Sequence, residues 1–247
     1  MGHDAPGALG GRTWPSAGRP VLLVPVGSIE QHGPHLPLDT DTAIAVAVAH
    51  DLAGRMREDG GDAVVTPPIA IGASGEHQSF PGTLSIGSEA LSAVLLELCR
   101  SATQWLDRIV FVNGHGGNVE ALSAAVPRAR SEARDAAWVP CAPVGEVPAG
   151  DAHAGFVETA IMLHLDPRRV RVDRIEPGAT APLAELMPAM RAGGVAAVSP
   201  NGILGDPTGA TAEAGERLFS GMCERAWALV REGRVGSGGR LVAVAAG

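Results

Sequence analysis

Lysine is missing from this chain of 247 residues, so all 19 basic side chains are arginines. Without lysine the phosphate-cradling pattern GxxxxGK[ST] is excluded. The arginines form no stripe and the formal charge is −8, which argues against a nucleic-acid partner. Long apolar runs are also missing, and the longest present are far too short to cross a bilayer. No membrane partner is expected. The first twenty residues lack the basic start and continuous apolar core of a secretory signal. Gly2 would suit myristoylation, but Pro6 stands where that motif needs Ser or Thr. Cysteine is scarce. Cys99, Cys141 and Cys223 are odd in number and show no CxxC spacing, which fits reduced thiols in a cytoplasmic protein better than a disulfide frame.

What is present suits one large globular domain. Apolar residues make up 45% and charged residues 19%, an ordinary balance for a buried core with a charged surface. Residues 1–20 read as a flexible lead-in, and 21–247 as a single domain. The pattern then alternates. Short apolar runs at 21–27, 63–72, 108–114 and 137–144 read as strands, the second broken by two prolines. Helical spacing predicts helices over 41–56, 88–106, 118–133, 157–165 and 210–233. The third is expected to kink or restart at Pro127. The stretch 176–209 is rich in proline and glycine and reads as a lid or an oligomer contact. Strand–helix alternation predicts an α/β fold with a mostly parallel sheet. Such sheets carry their chemistry in loops beyond the carboxyl ends of their strands.

The polar motifs fall in those loops. In GSIEQHGPHLPLDTDT (27–42), Glu30 and His32 are two apart, so in extended chain they point to one side and can share a metal. Asp41 follows at a helix start. This mixed oxygen and nitrogen set suits Zn²⁺, Mn²⁺ or Fe²⁺. His35 is read as a supporting or structural residue, and neither it nor Asp39 as a ligand. In NGHGGN (113–118), glycines display His115 beyond a strand. In GDAHAGFVET (150–159), Asp151, His153 and Glu158 enter a helix. In GASGEHQSFPGT (72–83), Ser74, Glu76 and His77 are expected to contact substrate or support the ligands. Read singly, each motif has a bland explanation. Asp41 is a cap, His115 an incidental residue in a glycine turn, Glu158 a partner of the helix dipole. Their joint presence favours a site.

Taken together and in order, these four motifs resemble the creatininase family of metal-dependent amidohydrolases. The resemblance implies a three-layer α/β/α fold, two divalent metal ions and a homo-oligomer. It implies Glu30, His32, Asp41 and His115 as ligands, with Asp41 bridging, and His153 as the catalytic histidine; Asp151, two residues away, is expected to orient His153. Creatinine-hydrolysing members carry a carboxylate two residues after the second histidine, where this chain has Gly117. Glu158 is then implied as the fifth ligand, and creatinine is disfavoured. Within the family, LPLDTDT, ASGEHQSFPGT and GGVAAVSPNGILGDPTGAT are most similar to the peptidase subgroup of mycofactocin biosynthesis. That subgroup implies release of a modified Val–Tyr-derived dipeptide from the C-terminus of a precursor peptide. The alternatives are hydrolysis of a small amide such as creatinine or a formamidopyrimidine, a dimetal phosphoesterase, and a scaffold without chemistry.

Overall fold

A computed structural model describes residues 7–244. The start of the expected lead-in, residues 1–6, lies outside the described residues. Residues 7–20 run against the sheet, where Val65 donates its N–H to the Gly7 carbonyl at 2.9 Å and Arg12 pairs with Asp62 at 2.8 Å.

Four parallel strands form the central sheet in the order β2-β1-β3-β4, with β1 Val21–Val26, β2 Ala63–Val65, β3 Ile109–Asn113 and β4 Ala136–Pro140. Successive side chains of a strand face opposite ways, and the two faces build separate cores. Leu23, Val65, Val110 and Val112 pack on one side with helices α1 (Thr40–Glu58), α4 (Phe156–Leu165) and α6 (Ala212–Glu232). Leu22, Val24, Val64 and Phe111 pack on the other with α2 (Gly87–Ala102) and α3 (Val119–Ser131). These are the three layers expected. Both faces of the sheet are covered, which is why its strands read as continuous apolar runs rather than as alternation. An antiparallel ribbon of β5 (Arg234–Val235) and β6 (Leu241–Val242) closes the chain.

The prolines of 63–72 act as anticipated. β2 stops at Val65, and only Ile69 renews pairing, by a single bridge to Val26. Pro127 does not restart α3, which remains one helix. A proline removes one helical hydrogen bond, and burial of Leu122, Ala125, Val126 and Ala129 on the inner face offsets that loss. Within 176–209 the structure adds a helix that the proline and glycine content concealed, α5 (Leu183–Gly193), with Pro188 inside it.

The strand order sets the place of the site. From β1 the chain passes through α1 to β2 on one side, then crosses back through α2 to β3 on the other. The carboxyl ends of β1 and β3 therefore flank a switch point, where open α/β sheets leave a crevice for ligands.

Candidate metal centre

Glu30 and His32 follow β1, Asp41 sits in the first turn of α1, and His115 follows β3; all four are buried. Glycine at 114 lets the β3 loop touch α1, because a Cβ there would lie 2.4 Å from the Asp41 carbonyl oxygen. Asp41 consequently stands between two histidines. Its Oδ1 is 3.2 Å from Nε2 of His32 and its Oδ2 is 3.1 Å from Nδ1 of His115. Ser28 Oγ donates to Oδ2 at 2.6 Å and fixes the carboxylate.

Each of these histidines has its other nitrogen on a main-chain carbonyl. His32 Nδ1 lies 3.1 Å from the Glu30 carbonyl oxygen, and His115 Nε2 lies 3.1 Å from that of Ala73. Ligating histidines characteristically donate this second N–H to such an acceptor, which leaves the free nitrogen for the metal. Here both free nitrogens face Asp41. Glu30 supplies the other sign of a metal site. Both its carboxylate oxygens are buried and neither accepts a hydrogen bond. His115 Nε2 stands 3.2 Å from Oε2 and His77 Nε2 3.4 Å from Oε1 without forming a hydrogen bond, and a buried carboxylate left so is costly unless a cation satisfies it. Ligand atoms of Glu30, Asp41 and His115 lie within 4.8 Å of one another, as do those of His32, His153 and Glu158 and those of Glu30, His77 and His153. The residues present fit divalent cations.

Glu158 enters from the first turn of α4. Its Oε2 is 3.8 Å from His32 Nε2 and accepts the Ala154 N–H at 2.6 Å. Ala154 is left-handed, with φ 52°, a strained state for a residue with a Cβ. That turn aims its N–H at Glu158 and sets His153 beside His32 and His77. His153 lies 4.4 Å, ring to ring, from His32 and 4.3 Å from His77.

Charges in this cluster are displaced from their ordinary values. Burial and the nearby Asp41 raise Glu30 to about 7. Burial likewise raises Glu158 to about 7. Burial opposes the charged form of His32, but Asp41, Glu158 and Glu30 overcome it and lift the imidazole to about 10. His115 rises to about 9 in the same way, with burial outweighed chiefly by its bond to Asp41. His153 goes the other way. Burial and the charges of His32 and His77 hold it well below its usual range.

The remaining expected residues divide. Ser74 is buried, with Oγ 3.4 Å from His115 Nε2. Glu76 Oε1 lies 3.7 Å from the same nitrogen, and His77 Nε2 lies 3.4 Å from Glu30 Oε1. All three border the ligands. Asp151 does not orient His153. Its carboxylate accepts the N–H groups of Phe156 and Val157 at 2.6 and 3.1 Å, so it caps α4. The helix start offers unpaired N–H donors, and these hold the carboxylate away from the histidine. His35 bonds Thr159 at 2.8 Å, and Asp39 pairs with Arg169. Gly117 leaves no room for a side chain, since a Cβ would meet Ala73 O at 2.2 Å and His115 Nε2 at 2.4 Å.

Two recesses adjoin the centre. One of about 500 Å³ is floored by Asp41, His115 and Glu158 and walled by Leu183, Met187 and Met190 of α5, with Arg191 also lining it. A second of about 240 Å³ is lined by Ile44, Cys141, Ile161 and Met222. They share Gly114, Gly116, His153 and Glu158. The sequence reading passed over two groups. Gln31, Asn113 and Asn118 carry the hydrogen bonds that join the loops: Asn118 donates to the Gly27 carbonyl at 2.9 Å and accepts from Ala73 N at 2.9 Å. The α5 wall has a helical signal in Leu183, Met187 and Met190, at spacings of four and three.

Comparison with known proteins decides the family. The family model "Creatininase: Creatinine amidohydrolase" matches residues 12–230. The chain belongs to the creatininase family of hydrolases. It is 63% identical over 208 residues to a mycofactocin precursor peptide peptidase of Mycolicibacterium smegmatis, covering 82% of this chain and 81% of that one. To a creatinine amidohydrolase of Pseudomonas putida it is 30% identical over 201 residues, 70% of this chain and 75% of that one. A solved structure described as creatininase Mn superposes with a TM-score of 0.71 at 26% identity, covering 88% of this chain and 95% of that one. A Zn–Zn form of a creatininase mutant gives 0.70 at 27%, covering 87% and 93%. Among the described residues, no helix is long and apolar enough to cross a membrane.

Proposed function

We propose that this chain is a dinuclear metal-dependent peptidase that releases a modified Val–Tyr-derived dipeptide from the C-terminus of a mycofactocin precursor peptide. The observation that carries the metal chemistry is the Glu30 carboxylate, buried with both oxygens free of hydrogen bonds beside Asp41 and His115. Glu30, Asp41 and His115 would hold one ion, and His32, Asp41 and Glu158 the other. The mixed donor set suits Zn²⁺, Fe²⁺ or Mn²⁺. When bound, such ions activate water and polarise the scissile carbonyl.

The chain's own residues then do the rest. His153, kept neutral by burial, has the proton-accepting state needed to take a proton from the attacking water. It returns that proton to the leaving amine as the C–N bond breaks. Asp151 serves by fixing the start of α4, and with it Glu158. Ser74, Glu76 and His77 border the reacting amide, where they are suited to hold substrate.

Peptide as substrate is favoured by the identity to peptidase-named relatives and by the pair of recesses meeting at His153 and Glu158. A chain cut internally needs room on both sides of the scissile bond. A small cyclic amide needs only one recess, and Gly117 lacks the carboxylate of creatinine-hydrolysing members. On the same reading the working form is a cytoplasmic homo-oligomer. Incubation with modified precursor, unmodified precursor and creatinine tests the assignment by mass spectrometry. Loss of the dipeptide mass from the modified precursor is expected. Turnover of creatinine alone would overturn it.

A further inference from the structure

The unassigned feature with the most hydrogen bonds at this site is Gln31, the residue between Glu30 and His32. Its side chain reaches the main chain of Gly33 and Gly202 and the rings of His77 and His153. Its carboxamide can have only one orientation there. Oε1 lies 2.8 Å from the Gly33 N–H, a group that only donates, and Nε2 lies 2.9 Å from the Gly202 carbonyl oxygen, a group that only accepts. Main-chain groups cannot exchange these roles. Gly202 is required for the contact, since a Cβ at that position would lie 1.9 Å from Gln31 Oε1, and its φ is +81°.

With the amide so fixed, its second hydrogen points to His77, whose Nδ1 is 2.9 Å from Nε2. That ring nitrogen must accept, so His77 carries its proton on Nε2, the atom 3.4 Å from Glu30 Oε1. His153 is set by the same residue through its main chain. Its Nε2 lies 2.8 Å from the Gln31 carbonyl oxygen, which only accepts, so this nitrogen holds the proton. Both amide hydrogens being engaged, the 2.9 Å approach of Gln31 Nε2 to His153 Nε2 carries no bond. His153 then turns the lone pair of Nδ1 toward Glu30, whose Oε1 is 3.7 Å away.

We propose that Gln31, locked by the backbone of Gly202, is a positioning residue that fixes the proton positions of two histidines, so that His77 offers a donor and His153 an acceptor to the reacting amide. The proposal rests on the peptidase reading for its chemistry, but its tautomer assignment stands independently. In the reaction, a water proton moves to His153 Nδ1 as the new C–O bond forms. The same proton passes to the leaving nitrogen as the C–N bond breaks, and His153 returns to its starting tautomer. His77 Nε2–H donates a hydrogen bond and keeps its proton. The segment around Gly202, distant in sequence from the ligands, thereby becomes part of the active machinery.

The test uses the zinc-loaded full chain with ¹⁵N-labelled histidine. Long-range ¹H–¹⁵N spectra are expected to show His77 and His153 each neutral and protonated on Nε2. A wild-type spectrum with His77 protonated on Nδ1, or with His153 protonated on Nδ1, overturns the proposal, whether or not the protein proves to cleave peptide. In Gln31→Leu and Gly202→Ala the His77 signal is expected to shift to a mixture of tautomers. Metal content should stay at the wild-type level, kcat fall by roughly a hundredfold and KM change by less than about threefold. A variant that keeps wild-type tautomers and wild-type kcat refutes the role. Should both variants fail to fold, the wild-type spectrum still decides the assignment.

Discussion

Oδ2 of Asp41 lies 3.1 Å from Nδ1 of His115, and the two residues reach that distance from the first turn of α1 and the loop after β3. The other oxygen of Asp41 serves His32. One carboxylate thus stands between two histidines, and on the proposed reading its loss should affect both ligand sets. Asp41→Asn keeps the size of the side chain and removes the charge. Metal content by plasma mass spectrometry is expected to fall from two ions per chain to one or none. Peptide cleavage should drop on the order of a thousandfold. Two ions retained at wild-type affinity would contradict the bridging role.

On the proposed reading Glu158 belongs to one ligand set alone. Glu158→Ala is expected to lose the ion beside His32 and keep the ion held by Glu30, Asp41 and His115. Titration of the metal-stripped variant should show one tight site where the wild type shows two. Two tight sites in the variant would remove Glu158 from the ligand list.

Metal affinity should depend on pH, with a definite sign. In the metal-free protein His32 is lifted to about 10 and His115 to about 9, burial being outweighed in each by the neighbouring carboxylates. Both are therefore imidazolium at neutral pH, while a ligating imidazole must be neutral. Metal must expel these protons, so apparent affinity rises as pH rises toward about 10 and falls as pH is lowered. Calorimetry in buffers of different ionisation enthalpy should detect the released protons. Affinity unchanged between pH 6 and 9 would contradict this electrostatic picture.

The α5 wall should govern binding more than turnover. Met187 is half-buried and faces the larger recess. Met187→Ala removes apolar contact worth about 1–2 kcal/mol, so KM for the precursor peptide is expected to rise roughly 5- to 30-fold with kcat nearly constant. An unchanged KM would place the peptide elsewhere.

Much of the centre was legible because parallel sheets expose their chemistry at strand ends. The apolar runs before Glu30 and His115 located both loops. Family likeness supplied what spacing could not, namely the expectation of a bridging Asp41 and the placing of Glu158 beside His32. Asp151 departs from its expected role for a physical reason. A carboxylate just ahead of a helix can either orient a neighbouring histidine or cap the helix, and only coordinates distinguish them. Helix α5 was hidden by Pro182 and Pro188, residues that weaken a helical reading although one flanks the helix and the other sits inside it. The role of Gln31 depends on Gly202, remote in the chain, and no local pattern links the two.

The most direct measurement is precursor cleavage by one preparation in three states: as isolated, stripped with chelator, and reloaded with Zn²⁺, Mn²⁺ or Fe²⁺. Mass spectrometry should show loss of the C-terminal dipeptide with the isolated protein, none after stripping, and recovery on reloading. Full cleavage by the metal-free protein would contradict the metal-dependent reading, as would an intact precursor after reloading.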